Sequence, residues 1–152
     1  MISVIVQEED FDIGIESQKL ASTTNTIGAI STFTGYVRNI NNQETVSSLF
    51  LEHYPGMTER QISSIAEEAV KRWRLEGLTV IHRVGDLQPG DQIVFVAVAS
   101  QHRGDAFAAC EYIMDFLKTK AAFWKREKIP DGSRWLETRQ TDVEAVAKWE
   151  KT

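Results

Sequence analysis

The stretch Val94–Glu127, VFVAVASQHRGDAFAACEYIMDFLKTKAAFWKRE, restricts the folds open to this chain more than any other. It begins as an apolar run of Val and Ala, breaks at Ser100-Gln101-His102-Arg103, continues with helical periodicity and ends among cations. That order predicts strand, loop, helix and basic patch. At roughly 100° per residue, Phe107, Cys110, Met114 and Leu117 fall on one side of the helix, widened by Ala106 and Ile113. This side is the predicted buried face. Arg103 and Lys118 project along it, one near each end.

Charge is concentrated at the end of this stretch. Between Lys118 and Lys128 stand Lys118, Lys120, Lys125, Arg126 and Lys128 against one acid, Glu127, in a chain whose formal net charge is -5. A last-turn lysine also complements the negative end of a helix dipole, which gives Lys118 a structural reading beside a functional one. Ahead of the helix, Ser100, His102 and Arg103 sit where a strand meets a helix N-terminus, with unpaired backbone N–H groups directed outward. If the two helix ends and the following loop border one cleft, that cleft is electropositive. Its predicted ligand is a small anion of the phosphate-ester kind.

Other classes are excluded by composition. A length of 152 residues suits one domain, spanning 1–152, and permits burial of about two-thirds of the unfolded surface. No apolar run approaches the ~20 residues of a membrane span, and the start, MISVIVQEEDFD, is acidic where a signal peptide is basic. A cytoplasmic location without membrane contact is expected. The single cysteine, Cys110, falls on the buried helix face, so it reads as packing and not as a nucleophile. His53, His82 and His102 form no ligand-spaced pair, so no metal site is expected. A pI near 5.2 speaks against nucleic acid.

Ser3–Val6 reads as a short strand, and residues 10–22 give a weak helix with Gly14 inside. Ile27–Val37 is a strand rich in β-branched and aromatic residues, with Gly28 and Gly35 marking a bulge or a close backbone approach. It delivers Arg38 to the polar loop Asn39–Glu44, and Val46–Tyr54 is the next strand. Arginine's planar fork suits phosphate, and Arg38 serves that role only if it meets His102 and Arg103 in space. Thr58-Glu59-Arg60-Gln61 reads as a capping box opening a helix that buries Ile62, Ile65, Ala66, Ala69, Val70 and Trp73. Leu78–Val84, with a structural His82, and Gln92–Ala99 are predicted antiparallel neighbours. Pro130-Asp131-Gly132 turns into a last strand, Arg134–Thr138, before a second capping box, Thr141–Glu144, opens a C-terminal helix through Trp149. The class is α+β.

Five motifs in order, Phe33-Thr34-Gly35-Tyr36-Val37-Arg38-Asn39, Leu51-Glu52-His53-Tyr54-Pro55-Gly56-Met57, Arg83-Val84-Gly85-Asp86-Leu87, Ser100-Gln101-His102-Arg103 and Phe123-Trp124-Lys125-Arg126-Glu127, closely resemble the large, catalytic subunit of molybdopterin synthase. The similarity runs from about Gly28 to Trp149. It implies an α/β hammerhead-like domain with an added antiparallel β-subdomain, and a homodimer within a heterotetramer that carries a small ubiquitin-like sulfur-carrier subunit at each outer end. It also implies the reaction. Cyclic pyranopterin monophosphate receives two sulfurs and becomes the molybdopterin dithiolene, the sulfur coming from a thiocarboxylate on the small subunit's C-terminal Gly-Gly tail, with no cofactor bound.

By the same resemblance, Arg38, His102 and Arg103 hold the substrate phosphate with backbone help near Tyr36 and Val37, Lys118 and Lys125 are the active-site lysines, and Arg126 and Glu127 continue the second substrate-binding motif. Clustered cations depress a lysine pKa and supply neutral amine for proton transfer or covalent chemistry. Two positions depart from the family pattern. Ala122 stands where proline is common before the aromatic-Trp-Lys run, and Asn42-Gln43-Glu44 lacks the glycine frequent after the arginine. The alternative reading is a non-catalytic anion-binding scaffold subunit of the same kind of complex.

Overall fold

The computed structural model describes residues 1–41 and 43–151. In chain order its elements are β1 (Ile2–Gln7), α1 (Ile13–Ala21), β2 (Ala29–Tyr36), β3 (Ile40–Asn41), β4 (Glu44–Thr45), β5 (Ser48–His53), α2 (Met57–Arg72), β6 (Gly77–Arg83), β7 (Gly85–Leu87), β8 (Gln92–Ser100), α3 (Arg103–Lys120), β9 (Phe123–Ile129), β10 (Gly132–Leu136) and α4 (Gln140–Ala147), closed by a 3-10 turn over Lys148–Lys151.

The apolar runs form one buried sheet in the order β1-β6-β8-β2. β1 lies parallel to β6, while β6 and β2 both run antiparallel to β8. Alternation along β6 and β8 feeds two cores. On one face Val80, Val96 and Val98 pack with Ile62, Ala66 and Ala69 of α2 and with Ala109 and Ile113 of α3; on the other, Ile81, Phe95 and Ala97 meet Leu20 of α1. Each fully buried Val, Leu, Ile or Phe side chain among these contributes about 1.5–3 kcal/mol. A second sheet, β10-β9-β5-β7, is antiparallel throughout and closes over a third cluster of Val37, Leu49, Leu51, Val84 and Leu87. The mixed α+β class is thereby established, and this second sheet fits the added β-subdomain. The predicted pairing of the 78–84 and 92–99 strands also holds.

Two glycines of β2's surroundings have steric reasons. A Cβ on Gly28 would stand 2.0 Å from the Gln101 carbonyl oxygen, so only hydrogen fits. The ladder shifts register between Gly35 and Tyr36, which is the bulge the sequence indicated.

Several local expectations are corrected. The basic stretch after α3 is not a loop but strand β9, because its alternating side chains find partners in β5 and β10. α2 starts earlier than Thr58: Gly56 is its N-cap, and the Glu59 carboxylate accepts the Gly56 N–H at 3.1 Å. Thr58 lies fully buried inside the first turn. α4 starts from Arg139 with no side-chain cap, so Thr141 does not close a capping box. Phe107 is 62% exposed, and Tyr112 is buried in its stead. The reason is that α3 is covered by α2 and by the C-terminal segment, where Tyr112 meets Trp73 and Trp149 edge to face. The Asn39–Glu44 loop holds the β3–β4 hairpin, in which Gln43 takes φ +64; Asn42 lies outside the described residues.

Candidate functional site

Only Gln101 and His102 separate β8 from α3, so the helix runs back antiparallel across the sheet it has just left. Tyr36 pairs with Gln92 at one end of β8 and Ala29 with Ser100 at the other. Arg38 therefore leaves β2 at the end of the sheet where α3 stops with Lys118. It lines an open groove with Val37, Asn39, Ile40, Pro89 and Gly90. Tyr36 is half exposed beside it and Val37 is buried. His102 and Arg103 are exposed at the other end of the sheet. A rise of 1.5 Å per residue puts Arg103 about 22 Å from Lys118 along α3. One chain thus brings Arg38, Lys118 and Lys125 to one end of its sheet and leaves His102 and Arg103 at the opposite one.

Lys125 owes its position to β9. Alternation turns Phe123, Lys125 and Glu127 inward and Trp124, Arg126 and Lys128 outward. The strand's approach is clamped by α2: Thr58 Oγ1 donates to the Ala122 carbonyl at 2.9 Å, and Ala122 N–H donates to Gln61 Oε1 at 2.7 Å. Proline at position 122 would lack that N–H, so hydrogen bonds here supply the restraint that a ring supplies elsewhere. Thr58 Oγ1 also accepts the Tyr54 N–H at 3.0 Å.

The Lys125 amine is mostly buried and lies beside that of Lys118. Its pKa is pushed down to about 8, first by burial and then by the charge of Lys118, with Arg139 adding to the fall and Asp142 opposing it. Beneath the pair lies His82, whose ring stacks on Phe123 with centroids 3.9 Å apart. Burial, followed by the charges of Lys125, Lys118 and His53, drives its pKa down to about 3, against a hydrogen bond to the Arg83 carbonyl that favours the proton.

Glu127 is buried one step further in. Its carboxylate accepts both contacts of Asn41 Nδ2, at 2.9 and 3.0 Å, and Arg134 Nε at 3.1 Å. Arg139 Nη2 donates to Asn41 Oδ1 at 2.8 Å, so the carboxylate acts through Asn41 on the arginine beside Lys125. Arg126 projects from the opposite face of β9, between the rings of Phe50 and Trp135 at 5.1 and 5.4 Å. It does not share the space of Lys125. Cys110 is buried with a raised thiol pKa, caused first by that burial. Among the described residues no three His, Cys, Asp or Glu side chains gather as a metal site, and no helix is long and apolar enough to cross a membrane.

Sequence reasoning missed His82, Asn41, Arg134, Arg139 and Asp142 as parts of this surrounding. Strand alternation over 123–129 would have coupled Lys125 to Glu127. Nothing in the sequence between Leu136 and Thr141 marks Arg139.

Comparison with known proteins agrees with this architecture. A family model described as MoaE protein matches residues 6–120. The molybdopterin synthase catalytic subunit of Ralstonia nicotianae is 54% identical over 149 residues, covering 98% of this chain and 85% of that protein. The Escherichia coli protein of the same name is 51% identical over 146 residues, covering 96% and 97%. The solved structure of the molybdopterin biosynthesis MoaE protein from Burkholderia ambifaria superposes with a TM-score of 0.86 at 48% identity, covering 99% of both chains. With a family match over most of its length and relatives above half identity end to end, the chain belongs to the MoaE family.

Proposed function

We propose that this chain is the catalytic subunit of a molybdopterin synthase, in which sulfur passes from the thiocarboxylated Gly-Gly terminus of a small ubiquitin-like subunit to cyclic pyranopterin monophosphate. The observation that carries the reading is the Lys118–Lys125 pair: two amines in contact, one mostly buried and titrating at about 8. Such an amine is partly neutral near physiological pH, so Lys125 takes or delivers a proton as the cyclic phosphate opens. Lys118, exposed and cationic, stabilises the anions formed and attracts the incoming thiocarboxylate. The rate is expected to climb as pH rises through about 8. Arg38 holds the phosphate at the same end of the sheet. Glu127 acts indirectly, through Asn41 and Arg139.

His102 and Arg103 join this site from a second copy of the chain. The reading is supported by the span of α3, about 22 Å between Arg103 and Lys118, which a single phosphorylated pterin does not bridge. Each dimer then has two sites, each with the lysines of one copy and the His102-Arg103 pair of the other.

Mixed dimers test this. Lys118→Ala and Arg103→Ala chains are unfolded together, refolded at equal amounts and assayed with thiocarboxylated small subunit at substrate well below saturation, where each alone turns over poorly. Random pairing gives half the dimers as hybrids, each with one intact site. Recovery of about a quarter of wild-type turnover is expected on that statistical ground. No recovery would overturn the two-copy site.

A further inference from the structure

Of the two histidines that the reaction above does not use, His53 and His82, His82 is the buried one, at 6% exposure. It sits on the α2–α3 face of β6, in phase with Leu78 and Val80. Nδ1 lies 2.8 Å from the Arg83 carbonyl oxygen, which can only accept. The proton is therefore on Nδ1, and Nε2 carries a bare lone pair. Nδ1 turns back to its own strand, which leaves Nε2 as the acceptor of the ring. Phe123 of β9, stacked on the ring, fixes its plane. The basic groups that face it are Lys118 from α3, Lys125 from β9 and His53 from β5. The charges of Arg139 and Asp142, from the α4 terminus, also act on Lys125.

We propose that His82 is a positioning residue for Lys125: a ring locked in the Nδ1–H tautomer, stacked on Phe123, that presents an uncharged nitrogen acceptor to the lysine amine. Phe123 and Lys125 are two residues apart on the inward face of β9, so a ring that holds the first aims the second. A charged ring at this place would add a third cation to the pair. A purely apolar ring would offer the ammonium no acceptor.

The proposal rests on the functional reading only for its consequence in turnover, so its test reads Lys125 directly. The full chain is labelled with trace acetic anhydride across pH 6 to 10.5, and each lysine's labelling is quantified by mass spectrometry. Reactivity follows the neutral amine. In His82→Phe the stacking surface stays and the acceptor goes, so Lys125 is expected to titrate about one pH unit lower and label about fivefold faster at pH 7. In His82→Ala water enters, and Lys125 is expected to titrate about one unit higher and label roughly tenfold more slowly. A ring that merely fills space predicts no change in His82→Phe, and that result would overturn the proposal. If His82→Ala does not fold, His82→Phe decides alone. Lys125 shifted with turnover unchanged would uphold the His82 assignment and refute the catalytic use of the lysine instead.

Discussion

Burying Lys125 beside Lys118 costs folding free energy, and the cost can be read out by removing it. The folded amine titrates at about 8 against 10.5 for an unperturbed lysine. The sign follows from proton binding. Between these two values the unfolded chain holds a proton that the folded chain has lost, so stability rises with pH there, and below about 8 the full penalty applies. Those two values correspond to about 3 kcal/mol at pH 7, about 2 at pH 9 and about 1 at pH 10. Lys125→Met keeps the length of the side chain and removes the charge, so it is expected to be more stable than wild type by about 3 kcal/mol at pH 7 while losing activity. Urea denaturation at fixed protomer concentration, repeated from pH 7 to 10, measures the gap. The gap should narrow toward pH 10. A variant less stable than wild type, or a gap independent of pH, would refute the view of Lys125 as an amine held under electrostatic strain.

Three further outcomes follow from other contacts. Thr58→Val leaves the Tyr54 N–H and the Ala122 carbonyl without the partner they share, and is expected to cost about 2–4 kcal/mol in urea denaturation; a loss below about 0.5 would show the clamp on β9 to be idle. Arg38→Ala and Arg103→Ala should each weaken substrate binding about tenfold or more by calorimetry, with the deficit shrinking at high salt, whereas exposed Lys120→Ala should bind as wild type. His82 is neutral when folded down to about pH 3, but its unfolded ring takes a proton below about 6.5, so stability falls as pH drops through that window. His82→Phe should flatten this part of the acid-stability curve, and an unchanged slope would contradict a buried neutral ring.

Periodic, locally driven structure was legible from the chain. The stripe Ile62-Ile65-Ala66-Ala69 announced α2, and the Val-Ala run with its break at Ser100 announced β8 and the start of α3. Features decided by distant partners were not. Thr58 looks like a helix cap until Ala122 is seen to need a donor, 64 residues away. Phe107 fits the helical stripe, yet Tyr112 is buried because Trp73 and Trp149 close over it from two other elements. The run from Lys118 to Lys128 reads as a patch because charge is obvious in sequence. That Lys125 points inward and Arg126 outward depends on strand pairing with Leu51 and Phe50. The candidate anion ligands were likewise identifiable by residue type. Their division between the two ends of α3 was not, because it depends on the helix running antiparallel to the strand before it.

Turnover of cyclic pyranopterin monophosphate with thiocarboxylated small subunit, measured for Lys118→Ala and Lys125→Ala, bears most directly on the paired-amine site. At saturating small subunit both variants should convert substrate at least about a hundredfold more slowly than wild type. Wild-type turnover by either would remove that lysine from the chemistry.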